Sequence, residues 1–258
     1  LMRVNLLKRM ESSIHSFART VERLLADVRG IIEKLEGHSA LEVEDLSIED
    51  IELDDEDFAE QVVGSKVKVL LQDVDKLRWM QELREDEEIL TRLLRYARAI
   101  GPERDLKLRR LKDEIRKKCE NPINPGNNKV LVFTAFADTA RYLYDNIAEW
   151  ARTELGLHTA LVTGGNGGNQ TTMPGIRKDI GSILTSFSPV SMERDKVDKD
   201  LHEEIDILLA TDCISEGQNL QDCDYVVNYD IHWNPVRIIQ RFGRIDRLGS
   251  QNKVIQLV

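Results

Sequence analysis

The stretch from Ile205 to Gly249, IDILLATDCISEGQNLQDCDYVVNYDIHWNPVRIIQRFGRIDRLG, constrains the fold of this chain more than any other. Two apolar runs, Ile205–Ala210 and Tyr225–Tyr229, have the length and content of buried strands, and each passes directly into polar loop residues. A helix is set to begin at Asn234-Pro235, because an Asn side chain caps free backbone N–H groups and Pro fits the first helical position. On that helix Gln240, Arg244 and Arg247 fall at i, i+4 and i+7, so they share one face if the helix runs unbroken. Gly243 between them lets a backbone or a phosphate come close. Planar, permanently charged guanidinium groups held in this way suit phosphate oxygens.

The same rhythm of strand, loop and helix extends back to Lys129. Lys129–Thr134 and Thr159–Thr163 read as strands, with Ala137–Leu155 as the helix between them, and Lys253–Val258 as a last strand. Ile176–Phe187 reads as a helix, and Ser188–Lys199 as a polar excursion on the surface. Strands that alternate with helices form a parallel sheet covered on both sides, with ligands at the carboxyl ends of its strands. The Gly-rich run Gly164–Gly175 lacks the Lys-Ser/Thr pair of a phosphate-binding P-loop and reads as a flexible loop. Thr163-Gly164 stands at the end of a strand.

TDCISEGQNL resembles motif V of superfamily 2 helicases and translocases, QRFGRIDR resembles their motif VI, and VLVFTAF resembles motif IV. The run NYDIHWNPVRIIQRFGRIDRLGS is similar to the Swi/Snf-like branch, and within it to bacterial RapA-like members and to relatives carrying phospholipase-D-like domains. The resemblance covers Lys129 to Val258; upstream, LLKRMESSIHSF is similar to the segment leading into the second motor lobe of those proteins. It implies an α/β fold: a RecA-like parallel sheet flanked by helices, here preceded by an all-α helical-hairpin insertion. ATP would lie between this lobe and an N-terminal RecA-like lobe. From this side Arg244 and Arg247 would be arginine fingers, and Gln240 would sense the γ-phosphate. Gly217 and Asn219 would approach the ribose, and Thr211, Asp212 and Glu216 would form the motif V link between nucleotide and nucleic acid. Thr134, Thr163, Gly164 and Thr211 would meet the nucleic-acid backbone.

The sequence contains no GxxxxGK[ST], and no apolar strand leads into an acidic Walker B pair; Asp54–Asp57 and Asp86-Glu87-Glu88 lie outside strand-like sequence. The expectation is therefore one motor lobe, inactive as an ATPase alone, with Mg2+ held by the N-terminal lobe. The resemblance implies movement along double-stranded DNA, to remodel protein–DNA contacts or to drive a nuclease. A non-catalytic module docking RNA polymerase or a nuclease subunit is a second reading. An RNA helicase, which shares every motif, is a third.

Residues 1–120 read as a helical arm, and the breaker Asn121–Asn128 as a linker to a lobe at 129–258. In the arm Leu7, Ile14, Val21, Val28 and Leu35 are seven apart, and Met10, Phe17, Leu24 and Ile31 interleave with them. That predicts one helix about 45 Å long with an apolar seam to bury. A second helical region, about Lys66 to Ile100, supplies Leu70, Val74, Leu77, Leu83, Leu90, Leu94 and Ala97 for an antiparallel hairpin. Gly101-Pro102 ends it, and a third helix follows from about Glu103 to Lys118.

The net charge of −10 is concentrated at the hairpin's tip. Residues 36–60 hold twelve acidic side chains and no Lys or Arg; the other 34 acidic residues face 36 basic ones, leaving basic surface for nucleic acid. The acidic run reads as a solvated loop rather than a docking surface. No apolar run reaches membrane-spanning length and no signal-peptide pattern opens the chain. Cys119, Cys213 and Cys223 form no CxxC pair, and the five dispersed histidines show no ligand spacing. A reducing cytoplasm and no bound metal are the expectations.

Overall fold

The heptad seam closes against a second helix, but it does so in two pieces. The computed structural model describes residues 2–37, 75–164, 168–196, 202–214, 218–231, 234–247 and 249–258. It divides into two compact units, Leu1–Gly101 and Pro102–Val258. The first contains α1 (Met2–Ser12), α2 (Ile14–Gly37) and α3 (Lys76–Arg98). The single helix expected from Leu7 is broken at Ser13, whose side chain accepts a 3.0 Å hydrogen bond from the Ser16 N–H and starts α2 anew. Before the break the seam is open, with Leu7 60% and Met10 43% exposed; after it Val21, Leu24 and Leu35 are buried.

Val21 and Leu25 pack with Leu94 and Ala97, while Ile32 and Leu35 pack with Leu83, so α2 and α3 are antiparallel. The ion pairs Glu22–Arg98, Arg29–Glu87 and Glu36–Arg84 follow the same reversed order; being exposed, they set register more than stability. Residues 38–60 of the acidic run, and the expected first turns of the second helix at 66–74, lie outside the described residues.

In the second unit a six-stranded sheet has the order β3-β2-β4-β1-β5-β6. Its strands are β1 (Val130–Phe133), β2 (Thr159–Val162), β3 (Gln170–Thr171), β4 (Ile207–Ala210), β5 (Tyr225–Asn228) and β6 (Gln256–Leu257). All neighbours run parallel except β2 and β3. The Gly-rich run is thus not wholly a loop, since Gln170 and Thr171 add an antiparallel edge to β2. The last strand is shorter than expected because Asn124 Oδ1 accepts from the N–H groups of Lys253 and Val254, diverting them from the ladder.

Alternate strand residues enter two separate cores. On one face Val130, Val132, Ile207, Leu209 and Val227 meet α5 (Ala137–Trp150) and α4 (Leu106–Glu120). On the other, Leu131, Phe133, Ala160, Leu208 and Val226 meet α6 (Ile180–Phe187) together with Ile214, Leu220 and Ile245. Burial on both faces explains why the strands read as continuous apolar runs. α6 begins later than expected, because Asp179 caps it through the Ser182 N–H at 2.9 Å. The expected surface excursion after α6 is partly interior: Ser188 and Arg194 are buried, and the Asp222 carboxylate accepts from the Val190 and Ser191 N–H groups.

Helix α4, which the sequence assigns to the arm, packs in the sheet unit. It lies against β5 from end to end: Lys107 pairs with Asp230 at 3.0 Å, Tyr225 donates to Glu114 at 2.9 Å, and Lys118 Nζ lies 2.7 Å from the Asp224 carboxylate, both side chains fully buried. Residues 121–128 are likewise tied down, since Asn124 donates to Asp224 and Asn127 to Asp222 O and Asn252. The division between units accordingly falls at Gly101/Pro102 rather than at 121–128.

The two halves of the seam should respond differently to truncation. Leu24→Ala, and Leu94→Ala on the facing helix, each remove a buried side chain and should cost about 2–5 kcal/mol, whereas Leu7→Ala should stay within about 0.5 kcal/mol. Urea denaturation of the three variants measures this.

Candidate functional site

The sheet topology selects one edge. From β1 the chain crosses to β2, and from β4 it crosses to β5 on the opposite side of β1, so the connections diverge where β1 and β4 lie side by side. Ligands in open α/β sheets bind at such a point, outside the carboxyl ends of the strands. Thr134, Thr163, Thr211 and Asp230 follow β1, β2, β4 and β5 there, and all four are buried. The ladder continues one residue beyond the strands: Thr134 N donates to Ala210 O at 2.9 Å, Thr211 N to Val162 O at 3.2 Å and Tyr229 N to Phe133 O at 2.9 Å. Gly164 is packed so closely on the residue after Asp212 that a Cβ on it would lie 3.1 Å from Cys213 Cβ. A side chain there would press on Cys213, so glycine eases the close approach of the β2 and β4 loops.

At the centre is a residue that sequence reasoning passed over. Arg241, on α7 (Pro235–Phe242), is completely buried. Its Nε donates to Asp212 Oδ1 at 2.8 Å and its Nη2 to Asp212 Oδ2 at 2.6 Å. The remaining nitrogen, Nη1, donates to Asn228 Oδ1 and Asp230 O, each at 3.2 Å. The guanidinium carbon also lies 5.1 Å from the Phe133 ring centroid. One side chain thus joins the ends of β1, β4 and β5 to α7. The signal in the sequence was an arginine inside QRFGR, downstream of two strands that each run into an aspartate.

Asp230 is a second junction. Its Oδ1 pairs with Lys107 from α4, its Oδ2 accepts from the Ala135 N–H at 3.0 Å, and its carbonyl takes Arg241. Lys107 Nζ also sits 4.1 Å from the Tyr229 ring centroid.

The expected shared face of Gln240, Arg244 and Arg247 is interrupted. α7 begins as expected, with Asn234 accepting from the Val236 N–H and Pro235 in the first turn, but it ends at Phe242. Tighter turns follow, with Arg244 N donating to Arg241 O and Ile245 N to Phe242 O, and the buried Ile245 anchors them in the core. Arg244 is consequently buried, its guanidinium carbon 6.0 Å from the Phe133 centroid. Arg247 is half-buried, its Nε donating to Gly243 O at 3.2 Å, and Gln240 is half-buried on the helix. Asn219 donates to Ser191 O at 3.3 Å, while the neighbouring Leu220 N donates to Arg244 O. Glu216 and Gly217 lie outside the described residues. Among the described residues no three His, Cys, Asp or Glu side chains converge as metal ligands, and no helix is long and apolar enough to cross a membrane.

Residues 106–249 match the model of a family described as "Helicase conserved C-terminal domain". An "Uncharacterized ATP-dependent helicase YqhH" of Bacillus subtilis (strain 168) is 33% identical over 131 residues, which is 50% of this chain and 18% of that protein. An "ATP-dependent RNA helicase DHH1" of Encephalitozoon cuniculi (strain GB-M1) is 40% identical over 52 residues, 20% of this chain and 11% of that protein. The C-terminal part of the Fun30 ATPase domain, a crystal structure, aligns at 19% identity and a TM-score of 0.39, covering 69% of this chain and 52% of that one.

The Asp212–Arg241 pair makes a stability prediction. Removing Asp212 strands the sealed guanidinium, so Asp212→Ala should cost about 3–5 kcal/mol. Asp212→Leu combined with Arg241→Met, an apolar replacement of similar volume, should cost far less. Urea denaturation of the two variants compares them.

Proposed function

Because the chain belongs to the helicase conserved C-terminal domain family, we propose that it is the second, C-terminal motor lobe of an ATP-dependent DNA translocase of the Swi/Snf-like, RapA-like kind. The observation that carries this reading is the locking of the motif VI helix onto motif V by Arg241 and Asp212 at the carboxyl edge of the sheet. Through that lock Gln240, Arg244 and Arg247 belong to the same edge as Thr134, Thr163, Gly164 and Thr211. The aligned region is a small share of the helicase relatives, so activity, substrate and partner are those of a longer protein in this proposal.

In this reading an N-terminal RecA-like lobe supplies the P-loop and holds Mg2+. This lobe contributes guanidinium donors to the charge that develops on the transferring phosphoryl group. Arg247, the less buried of the two, is the finger nearer solvent; Arg244 stands behind it against Phe133. Asp212, Glu216, Gly217 and Asn219 serve the nucleotide side, and the threonines with Gly164 serve the nucleic-acid backbone. The cytoplasm is the proposed setting, since Cys119, Cys213 and Cys223 form no CxxC pair.

A docking role toward RNA polymerase or a nuclease subunit is the second reading. It is favoured by the exposed apolar residues Ile89, Leu93 and Tyr96, at i, i+4 and i+7 on α3.

Two measurements test the first reading. The isolated chain should hydrolyse ATP far below about 1 s⁻¹, the low end of ordinary enzyme rates, with or without nucleic acid. In the full-length protein, Arg244→Ala and Arg247→Lys should each lower double-stranded-DNA-stimulated ATPase by about 10³–10⁵, since Lys keeps the charge but loses the planar fork. DNA affinity should change little. Loss of DNA binding with hydrolysis intact would assign these arginines to the nucleic-acid track, and stimulation by RNA in place of DNA would make the protein an RNA helicase.

A further inference from the structure

The motifs account for Arg244, Arg247 and Gln240 but leave the Asp230 junction without a role. Asp230 is only 8% exposed and makes three connections to three different segments. One carboxylate oxygen takes the Ala135 N–H, which fixes the turn leaving β1 beside Thr134. Its carbonyl takes Arg241 Nη1, which fixes the root of the motif VI helix. Its other carboxylate oxygen is held by Lys107 Nζ, arriving from α4, outside every helicase motif recognised in the sequence. A buried carboxylate has to keep its charge satisfied, and here the satisfying charge comes from an independent helix.

We propose that Asp230 and Lys107 are positioning residues for ATP hydrolysis: with Arg241 they strap the turn after β1 and the motif VI helix into one fixed register. The proposal rests on the motor-lobe reading above. Neither residue touches the reacting phosphates; each acts through the elements it holds. Catalytic donors must already stand in place when charge develops, and a displacement of about 1 Å can cost about 10²-fold in rate. Lys107 is an informative position to change, because its side chain is 38% exposed and its ammonium nitrogen, 4.1 Å from the Tyr229 ring centroid, lies at the edge of the junction. Lys107→Met keeps an apolar stem there and removes only the ammonium group.

The test uses the full-length protein and ATP turnover stimulated by double-stranded DNA. Lys107→Met and Asp230→Asn should each lower kcat by about tenfold or more, with KM for ATP and DNA affinity within about twofold of wild type. Lys107→Met should lower the melting temperature, because it strands the Asp230 carboxylate, yet stay folded at the assay temperature, and Lys107→Arg should restore most of kcat. A kcat within about twofold of wild type in both variants overturns the proposal. So does a Lys107→Met protein whose loss of rate follows only from a lower melting temperature, because Lys107 is then merely structural. Deuterium uptake across residues 134–136 separates this proposal from the reading it rests on. If the wild-type protein shows no nucleic-acid-stimulated turnover, the motor-lobe reading falls. Faster uptake in the two variants still supports the strap, and unchanged uptake overturns it.

Discussion

A guanidinium with no contact to water needs a carboxylate and further acceptors placed around it, and meeting that need at Arg241 organises the working edge of this lobe. Desolvating such a pair costs several kcal/mol per ion, and only good geometry repays it. Arg241 has that geometry: a two-pronged contact to Asp212, two more acceptors for its remaining nitrogen, and the Phe133 ring beside its face. Asp212 follows β4, Asn228 ends β5, and Phe133 ends β1, which lies between them. The arginine therefore measures the distance across three adjacent strands. An insertion or a register slip in any of them leaves a buried charge unmet.

Such a fixed edge needs a rigid support, which the sheet and α4 provide. Leu131 and Phe133 face one core while Val130 and Val132 face the other, so β1 is immobilised from both sides. α4 adds a polar counterpart to this packing. Lys107 holds Asp230, two residues past β5, Lys118 holds the residue just before it, and Glu114 takes the hydroxyl of Tyr225 between them. Side-chain pairs at both ends of one strand fix how far the helix can slide along it. The same helix thus reaches from the amino end of β5, where the charges are fully buried, to the carboxyl end, where Asp230 meets Arg241.

The apolar strands, the hairpin pairing and the Asn-Pro helix start were legible because each follows from local chemistry. The apolar runs leave little choice, and Val21 and Leu94 obey the period that brought them together. Features decided by distant partners, or by a cap set inside an unbroken period, were not legible. The heptad spacing continues unchanged through Ser13, so periodicity alone cannot reveal that its hydroxyl restarts the helix. Gln170 and Thr171 are strand only because β2 offers an open edge. The Asn121–Asn128 run has the composition of a linker, yet Asn124 and Asn127 are bound by backbone and side-chain groups about a hundred residues further on. At the site, a motif rich in arginine suggested three groups facing a ligand, and nothing local distinguishes an arginine that faces phosphate from one that faces Asp212.

That distinction is what the path of the chain after α7 supplies. Had the helix run on past Phe242, Gln240, Arg244 and Arg247 would have pointed the same way with similar freedom. Instead it stops at Gly243, the tightened turns carry Ile245 into the core, and the three arginines separate by depth. Arg241 is sealed and fully committed to Asp212; Arg244 is buried behind Phe133; Arg247 remains half-buried. A committed guanidinium cannot exchange partners without stranding a carboxylate, whereas one near the surface exchanges water for phosphate at modest cost. Freedom to meet a ligand thus increases along the chain from Arg241 to Arg247. In the proposed reading the sealed end holds the freer end in a constant place, so the residue least able to meet a ligand sets where the others stand.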